Sequence, residues 1–292
     1  MSFLAVVIIA LSGLLHALWS FLIKKSHHKV ICIWLMFLET SLIMTALYLV
    51  YFKRFGFLSP RSMVLAVLTT IGYFLYQVSS GLAYELEDMS LVYPLTMSAP
   101  LFVPVWAWTF IGEQITIKGF AGIILSVIAI YLMPLDNLQP KTILKPLSRF
   151  KRRGVRLAIF AALVDSISNV INKTGITKSN AFAFTYSIVV STSVFLGLYC
   201  LLRDRQRKKI RETVRLDRKN IFLAGLIFAL SFPAYQVGIS LAKISYATPT
   251  RRISILFGVL LGIVVLKEKH AAKVRIFASL LLIVGIWLMK IG

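Results

Sequence analysis

The 292 residues are 58% hydrophobic and only 15% charged, with a mean hydropathy of +0.82. Soluble domains carry about 25% charged residues, so this composition excludes an ordinary soluble protein. The net charge of +22 comes mainly from Lys and Arg in short loops between apolar runs. Membrane proteins place their anchoring charge there, so the charge does not indicate nucleic-acid binding.

Ten apolar runs are long enough to be transmembrane helices, because about 20 apolar residues cross the hydrocarbon core of a bilayer. The first run is too long for the core of a signal peptide and has no basic residue before it, so we expect it to be retained. The sequence therefore predicts an all-α membrane protein with ten transmembrane helices. In chain order the predicted spans are Ser2–Ile23, Val30–Phe52, Ser62–Tyr84, Met89–Ile111, Gly119–Leu135, Gly154–Asn172, Asn180–Leu202, Ile221–Leu241, Ser245–Leu266 and Lys273–Lys290.

Two connections are longer than the others. Residues 136–153 are predicted to be a basic linker between a five-helix repeat at residues 1–135 and a second at residues 154–292. Residues 203–220 are expected to form a solvated loop, with an amphipathic helix on an anionic leaflet as the alternative. Most loop Lys and Arg follow odd-numbered spans, which favours a cytoplasmic position for those loops and both termini outside.

The two halves of the chain repeat the same short segments in the same order. Each half holds five predicted helices, an odd number, so the second half must be inverted relative to the first. Inverted repeats are typical of secondary transporters, whose substrate site lies near mid-bilayer between the halves. The matching segments are Tyr76-Gln77-Val78 with Tyr235-Gln236-Val237, Ser90 and Pro94 with Ser245 and Pro249, and Gly112-Glu113 with Lys267-Glu268.

Ionisable residues inside the spans need an explanation, since a charge at the bilayer centre costs about 2.5–3.5 kcal/mol. Glu39 lies near the middle of span 2, and Arg251 and Arg252 lie about two turns into span 9. Glu39 either pairs with one of these arginines, or acts as a protonatable coupling site or a partner for a cationic substrate group. The arginines suit a carboxylate or phosphate because guanidinium offers planar bidentate donors. Their alternative is to reach the nearest interface.

Polar side chains form a stripe on span 6, where Asp165, Asn169 and Asn172 share one face, and a second stripe on span 3. Lipid would leave such side chains unpaired, so they contact partner helices or line a wet cavity, and we favour the cavity. A small-residue face at Ser254, Gly258 and Gly262 indicates close packing or a dimer seam. The twelve candidate substrate-binding residues are His16, Trp19, Glu39, Tyr76, Gln77, Tyr93, Asp165, Asn169, Tyr235, Gln236, Arg251 and Arg252.

Three segments together resemble a known family. They are residues 14–20 (LLHALWS), residues 91–95 (LVYPL) followed by Gly112-Glu113, and residues 251–254 (RRIS) followed by Lys267-Glu268. In this order they resemble the EamA-type transporters of the drug/metabolite transporter (DMT) superfamily, over essentially the whole chain. The resemblance implies a ten-helix basket with a central cavity, export or exchange of small metabolites such as amino acids, and cytoplasmic termini, against the charge count. Thr96-Met97 stands where many relatives carry an Arg.

We therefore expect a secondary transporter of small metabolites in the cell (inner) membrane, with a non-transporting scaffold as the alternative. An enzyme is not expected, because the adjacent His27 and His28 lie in a short loop and Cys32 and Cys200 lie in apolar runs. These residues form no metal set and no nucleophile with its base. The expected partners are the lipid bilayer, a small-molecule substrate and a proton or counter-substrate, with no cofactor, metal or nucleic acid, in a monomer or homodimer.

Overall fold

The computed structural model describes residues 1–87, 92, 95–133, 135, 137–144, 151–254, 256 and 272–292. Within these ranges all regular structure is helical. Three short helical segments, Phe52–Phe55, Pro140–Leu144 and Asp204–Arg207, lie in connections. The longer helices are α1 (Phe3–Lys25), α2 (Lys29–Val50), α3 (Pro60–Leu86), α4 (Ala99–Ile111), α5 (Ile117–Leu132), α6 (Arg153–Thr177), α7 (Ala181–Leu202), α8 (Ile210–Ser240), α9 (Ile244–Arg251) and α10 (Ala272–Ile291).

The helices have the length and surface of membrane spans. Seven of them, α1, α2, α3, α6, α7, α8 and α10, are long and apolar enough to cross a bilayer, and α4 and α5 are shorter apolar helices. Large apolar side chains point away from the bundle; Leu49 and Trp108 are 69% and 68% exposed. Such a surface is stable only against lipid. The chain is therefore a multi-pass α-helical membrane protein.

Contacts between the two halves occur in matched pairs of helices. The helix α3 packs along α6, and α8 packs along α1. Likewise α2 contacts α8 while α7 contacts α3, and α4 contacts α6 while α9 contacts α1. The remaining close pairs, α2 with α7, α4 with α9 and α5 with α10, join equivalent helices of the two halves. The helix contacts thus follow the internal repeat of the sequence.

Small residues bring the paired helices close together. A Cβ atom built on Gly72 of α3 would lie 1.7 Å from Oγ of Ser168 on α6. Between α1 and α8, the Ser12 and Ser231 hydroxyls each donate to the other residue's backbone carbonyl at 3.0 Å. Close backbone approach replaces the hydrophobic effect as the main source of helix association in lipid.

The helix α8 begins earlier than the sequence predicts. Residues 203–220 were expected to be a solvated loop, but α8 already begins at Ile210. Its first three turns are rich in Arg, Leu, Lys and Glu, which are good helix formers. Thr213 and Asp217 are buried on the inner face, and the backbone N–H of His27 donates to Asp217 Oδ2 at 3.0 Å. The prediction of a loop was wrong from Ile210 onward because this inner face packs against the end of α1.

Several sequence predictions fall outside the described residues. They concern the candidate site residue Tyr93 and the repeat residues Ser90 and Pro94. They also concern the Lys267-Glu268 pair and the small-residue positions Gly258 and Gly262 on the far part of span 9.

One face of the bundle carries both ends of the chain and is called the terminal face here. The Met1 ammonium donates to the Lys290 carbonyl at 3.1 Å on this face. The turn of residues 112–116, between α4 and α5, meets the start of α9 there. The opposite face carries the contact of His27 with Asp217 and the ion pair of Arg152 with Glu87.

Candidate functional site

A small central cavity opens between α1, α2, α3, α6, α8 and α9, with a volume of about 60 Å³. This volume holds a few water molecules. Nine of the candidate residues line it: His16, Trp19, Tyr76, Gln77, Asp165, Asn169, Tyr235, Arg251 and Arg252. The structure therefore brings together most of the residues selected for polarity inside apolar helices.

Two arginines from the end of α9 supply the positive charge of the cavity. The guanidinium of Arg251 lies 3.9 Å from the ring centroid of Tyr235 and 3.5 Å from His16 Nδ1. The guanidinium of Arg252 lies 3.5 Å from Asp165 Oδ2 and donates to Met97 Sδ at 2.9 Å. The alternative in which both arginines reach an interface is wrong, because both line the central cavity.

Asp165 is the negative counterpart, and its neighbours on α6 hold it in place. Nδ2 of Asn169 donates to the Asp165 backbone carbonyl at 2.7 Å and to Oδ1 at 2.9 Å. The Tyr235 hydroxyl donates to Asn169 Oδ1 at 3.1 Å. A hydrogen-bonded chain therefore runs from α8 through α6 to Arg252 on α9, so the charged pair is fixed from three helices.

Aromatic rings also line the cavity. Trp19 contacts His16 edge to face at 4.6 Å between centroids and Phe228 at 5.5 Å, and Phe228 also contacts Phe37 at 4.7 Å. Sequence reasoning missed Phe37, Phe228 and Phe232, because a phenylalanine in an apolar helix resembles any lipid-facing or core residue. The remaining lining residues are Tyr73 and Thr248.

Three N–H donors on the wall have no hydrogen-bond partner among the described residues. They are Nε1 of Trp19 and the Nε atoms of Arg251 and Arg252, all buried. An unpaired buried donor costs about 1–3 kcal/mol. All three belong to side chains that line the same cavity, so this wall carries donors that the described protein groups do not satisfy.

Gln236 lies behind the cavity wall. It exchanges two hydrogen bonds with the Asn172 amide, at 2.8 and 3.0 Å. Asn172 Nδ2 also donates to the Tyr73 hydroxyl at 3.1 Å. This buried network joins α3, α6 and α8, which is the packing role that the sequence left open as the alternative for part of the stripe.

Glu39 is outside the cavity. Its carboxylate lies beside Gly225 of α8, where a built Cβ would be 2.3 Å from Oε2, and Oε1 has no hydrogen-bond partner among the described residues. The alternative in which Glu39 pairs with Arg251 or Arg252 is wrong, because Arg252 pairs with Asp165 and Arg251 lies against Tyr235 and His16.

The fold and cavity define a polytopic helical membrane protein with a polar chamber between two repeated halves, an arrangement characteristic of secondary transporters. Residues 3–135 and 152–291 both match the EamA-like transporter family. The chain therefore belongs to that family, within the DMT superfamily.

Proteins similar to this chain include a plant transporter and a protein of known crystal structure. UDP-xylose transporter 1 of Arabidopsis thaliana is 27% identical over 139 residues, which are 47% of this chain and 40% of that protein. The match thus spans less than half of the relative. A protein of known crystal structure superposes with a TM-score of 0.75 over 98% of this chain and 96% of its own, at 13% identity. At that identity the likeness shows the fold alone.

Proposed function

We propose that the protein is a secondary transporter that carries a small metabolite bearing a carboxylate or phosphate group across the cell membrane. The observation that carries this proposal is that Trp19, Arg251 and Arg252, which line one central cavity, each have a buried N–H without a partner among the described residues. Guanidinium groups bind planar oxyanions through paired hydrogen bonds. Amino acids and sugar phosphates are solutes of this kind.

The proposed mechanism is alternating access of two inverted five-helix halves, residues 1–135 and 154–292, in a ten-span bundle. The matched contacts of α3 with α6 and of α8 with α1 support a two-fold relation between the halves. Five spans in each half make that relation an inversion across the membrane plane. A scaffold without transport would have its interior polar groups satisfied by other helices, and the cavity with its free donors argues against it.

The aromatic wall supports a substrate with a flat or apolar part beside its anionic group. Trp19, Phe37 and Phe228 line the same cavity as Asp165 and Arg252. Aromatic faces bind rings through offset or edge contacts worth about 0.5–1.5 kcal/mol. The name of the similar plant protein, a UDP-xylose transporter, is consistent with a phosphate-bearing substrate that has such a ring.

The test is transport by the purified protein in liposomes, with a panel of labelled UDP-sugars, sugar phosphates and amino acids offered one at a time. We expect uptake of at least one anionic solute, and its loss to background in the double variant Arg251→Gln/Arg252→Gln because the guanidinium donors are removed. The matched control Arg211→Gln/Arg215→Gln removes two exposed arginines from α8 and should retain uptake. Undiminished uptake by the first variant would contradict the proposed anion site.

A further inference from the structure

The turn between α4 and α5 is built to direct one carboxylate toward α9. Gly112 has φ +66°, the left-handed conformation that ends α4, and glycine adopts it without steric cost. The N–H of Glu113 then donates back to the Ala107 carbonyl at 3.1 Å. This ending turns the chain sharply, so the side chain of Glu113 leaves α4 and reaches the second half of the protein.

The Glu113 carboxylate binds the first turn of α9. Oε1 accepts from the Ile244 N–H at 2.7 Å, and Oε2 accepts from the Ser245 N–H at 3.2 Å and the Ser245 hydroxyl at 2.7 Å. These N–H groups have no partner within the helix, and the positive end of the helix dipole favours a carboxylate there. Glu113 is therefore an N-terminal cap supplied by the other half of the chain.

Neighbouring contacts fix the same junction. The Lys243 ammonium donates to the Gln114 carbonyl at 2.8 Å, and the Tyr246 hydroxyl accepts from the Thr116 N–H at 3.3 Å. Gly119 on α5 leaves the space for that hydroxyl, since a Cβ there would be 2.0 Å from it. The start of α9 is thus held along one side by the turn and by the beginning of α5.

The helix α9 leads from the Glu113 contact to the arginines. It spans eight residues, and Arg252 is its C-cap. Pro249 near its end lacks an N–H and removes one internal hydrogen bond. The contacts at its start therefore decide where its end lies, about 10 Å further on at 1.5 Å per residue. That end carries Arg251 and Arg252.

We propose that Glu113 is a positioning residue for the anion site: by capping α9 at the terminal face, it holds Arg251 and Arg252 against the cavity. The inference rests on the proposed function, because it gives the arginines their purpose. It also gives the Gly112-Glu113 motif a physical role, in which glycine sets the turn and glutamate sets the depth and rotation of α9.

A pure charge effect and a positioning role predict opposite changes in the rate at which an anionic reagent reacts in the cavity when Glu113 is removed. This difference makes the inference testable. Removing a negative charge near the site raises the positive potential of the cavity, so an anionic reagent should react faster there. Displacing α9 carries two positive charges away from the wall, so the same reagent should react more slowly. The direction of the change separates positioning from a charge effect.

The experiment uses the full chain in detergent, with Cys32 and Cys200 replaced by serine and Gln77→Cys as a reporter on the cavity wall. The rate of thiol modification is measured with an anionic sulfonatoethyl and a cationic trimethylammonioethyl methanethiosulfonate. Each rate is divided by the rate of the same reagent with a free thiol, which removes the difference in intrinsic reactivity. The ratio of the normalised anionic rate to the normalised cationic rate then reports the local charge and cancels differences in access. We expect this ratio to be above one in the parent and to fall about tenfold in Arg251→Gln/Arg252→Gln, since two nearby charges dominate the local field.

Glu113→Ala should lower the ratio toward that of the double arginine variant, and Glu113→Gln should lower it less because one acceptor oxygen remains. The matched control Glu87→Ala removes a carboxylate from the opposite face, where it pairs with Arg152, and should leave the ratio unchanged.

An unchanged or increased ratio in both Glu113 variants overturns the inference, provided that the arginine variant lowers it. If the arginine variant itself has no effect, the proposed anion site fails instead. Monodisperse elution of Glu113→Gln shows that the effect is not caused by unfolding.

Discussion

The α3–α6 and α1–α8 interfaces occupy matching places in the two halves, yet they differ in chemistry. Between α3 and α6, Gly72 packs on Ser168 and Tyr73 accepts from Asn172. Between α1 and α8, Ser12 and Ser231 exchange hydrogen bonds, and Gly238 packs on Ile9. The two interfaces share a close approach of the helix backbones, which small residues allow in both.

This comparison shows which properties the repeat has kept. Close helix packing depends on small side chains at a few points, so both halves retain it. The groups that line the cavity differ between the halves: the charged groups Asp165, Arg251 and Arg252 come from the second half, and Trp19 and His16 come from the first. The site is therefore asymmetric although the scaffold around it is symmetric.

The largest expected effect on stability is at the ion pair of Asp165 on α6 with Arg252. Asp165→Ala leaves the buried Arg252 guanidinium without its carboxylate, and loss of one partner of a buried pair costs about 3–5 kcal/mol. We expect a strongly lowered unfolding midpoint in detergent. The double variant Asp165→Asn/Arg252→Met, in which no buried charge is left unpaired, should recover most of the loss. An equal fall of the unfolding midpoint in the single and the double variant would show that the two side chains do not stabilise each other.

A smaller effect is expected where α3 meets α6. In Gly72→Ala the added methyl would overlap the Ser168 hydroxyl, and overpacking of this kind typically costs about 1–3 kcal/mol. The compensating change Ser168→Gly restores the space and should return the unfolding midpoint toward that of the parent. If Gly72→Ala is neutral alone, the helices are not as close at this point as the structure shows.

The smallest effect is expected at the corresponding α1–α8 interface. Ser12→Ala and Ser231→Ala each remove one of two reciprocal hydrogen bonds, and interhelical bonds within membranes average about 0.6 kcal/mol. Each single variant should therefore unfold only slightly earlier than the parent. A double-mutant cycle on the same midpoints measures the coupling of the two serines. A fall in the unfolding midpoint as large as that of Gly72→Ala would contradict the expectation that this interface tolerates substitution better than the α3–α6 interface.

Hydrophobicity and polarity in the sequence predicted the helices and much of the cavity wall. Asp165 and Asn169 were found because polar residues one turn apart in an apolar helix have few explanations. The ion pair of Glu39 was mispredicted because sequence gives the depth of a residue in the bilayer but not the rotation of its helix toward a neighbour. Phe228 gave no signal, since its side chain suits lipid and cavity alike. The early start of α8 was hidden by its many charges, which suit a loop and an exposed helical turn equally.

Glu113 illustrates a different limit of sequence reasoning. The Gly112-Glu113 pair was visible as a repeated motif, but its partner on α9 is about 130 residues away in the chain. No local periodicity connects a turn with a distant helix start. The carboxylate could be assigned only when the structure showed which N–H groups it accepts from.

The pairing of Arg252 with Asp165 has a consequence for how long any cargo stays bound. On the proposed function, an anionic substrate competes with the Asp165 carboxylate for the Arg252 guanidinium, so its affinity is lower than it would be without Asp165. Its dissociation is faster because the Asp165 carboxylate can return to the guanidinium. Asp165 would therefore shorten the residence time of such a substrate, which suits a transporter that must release what it binds.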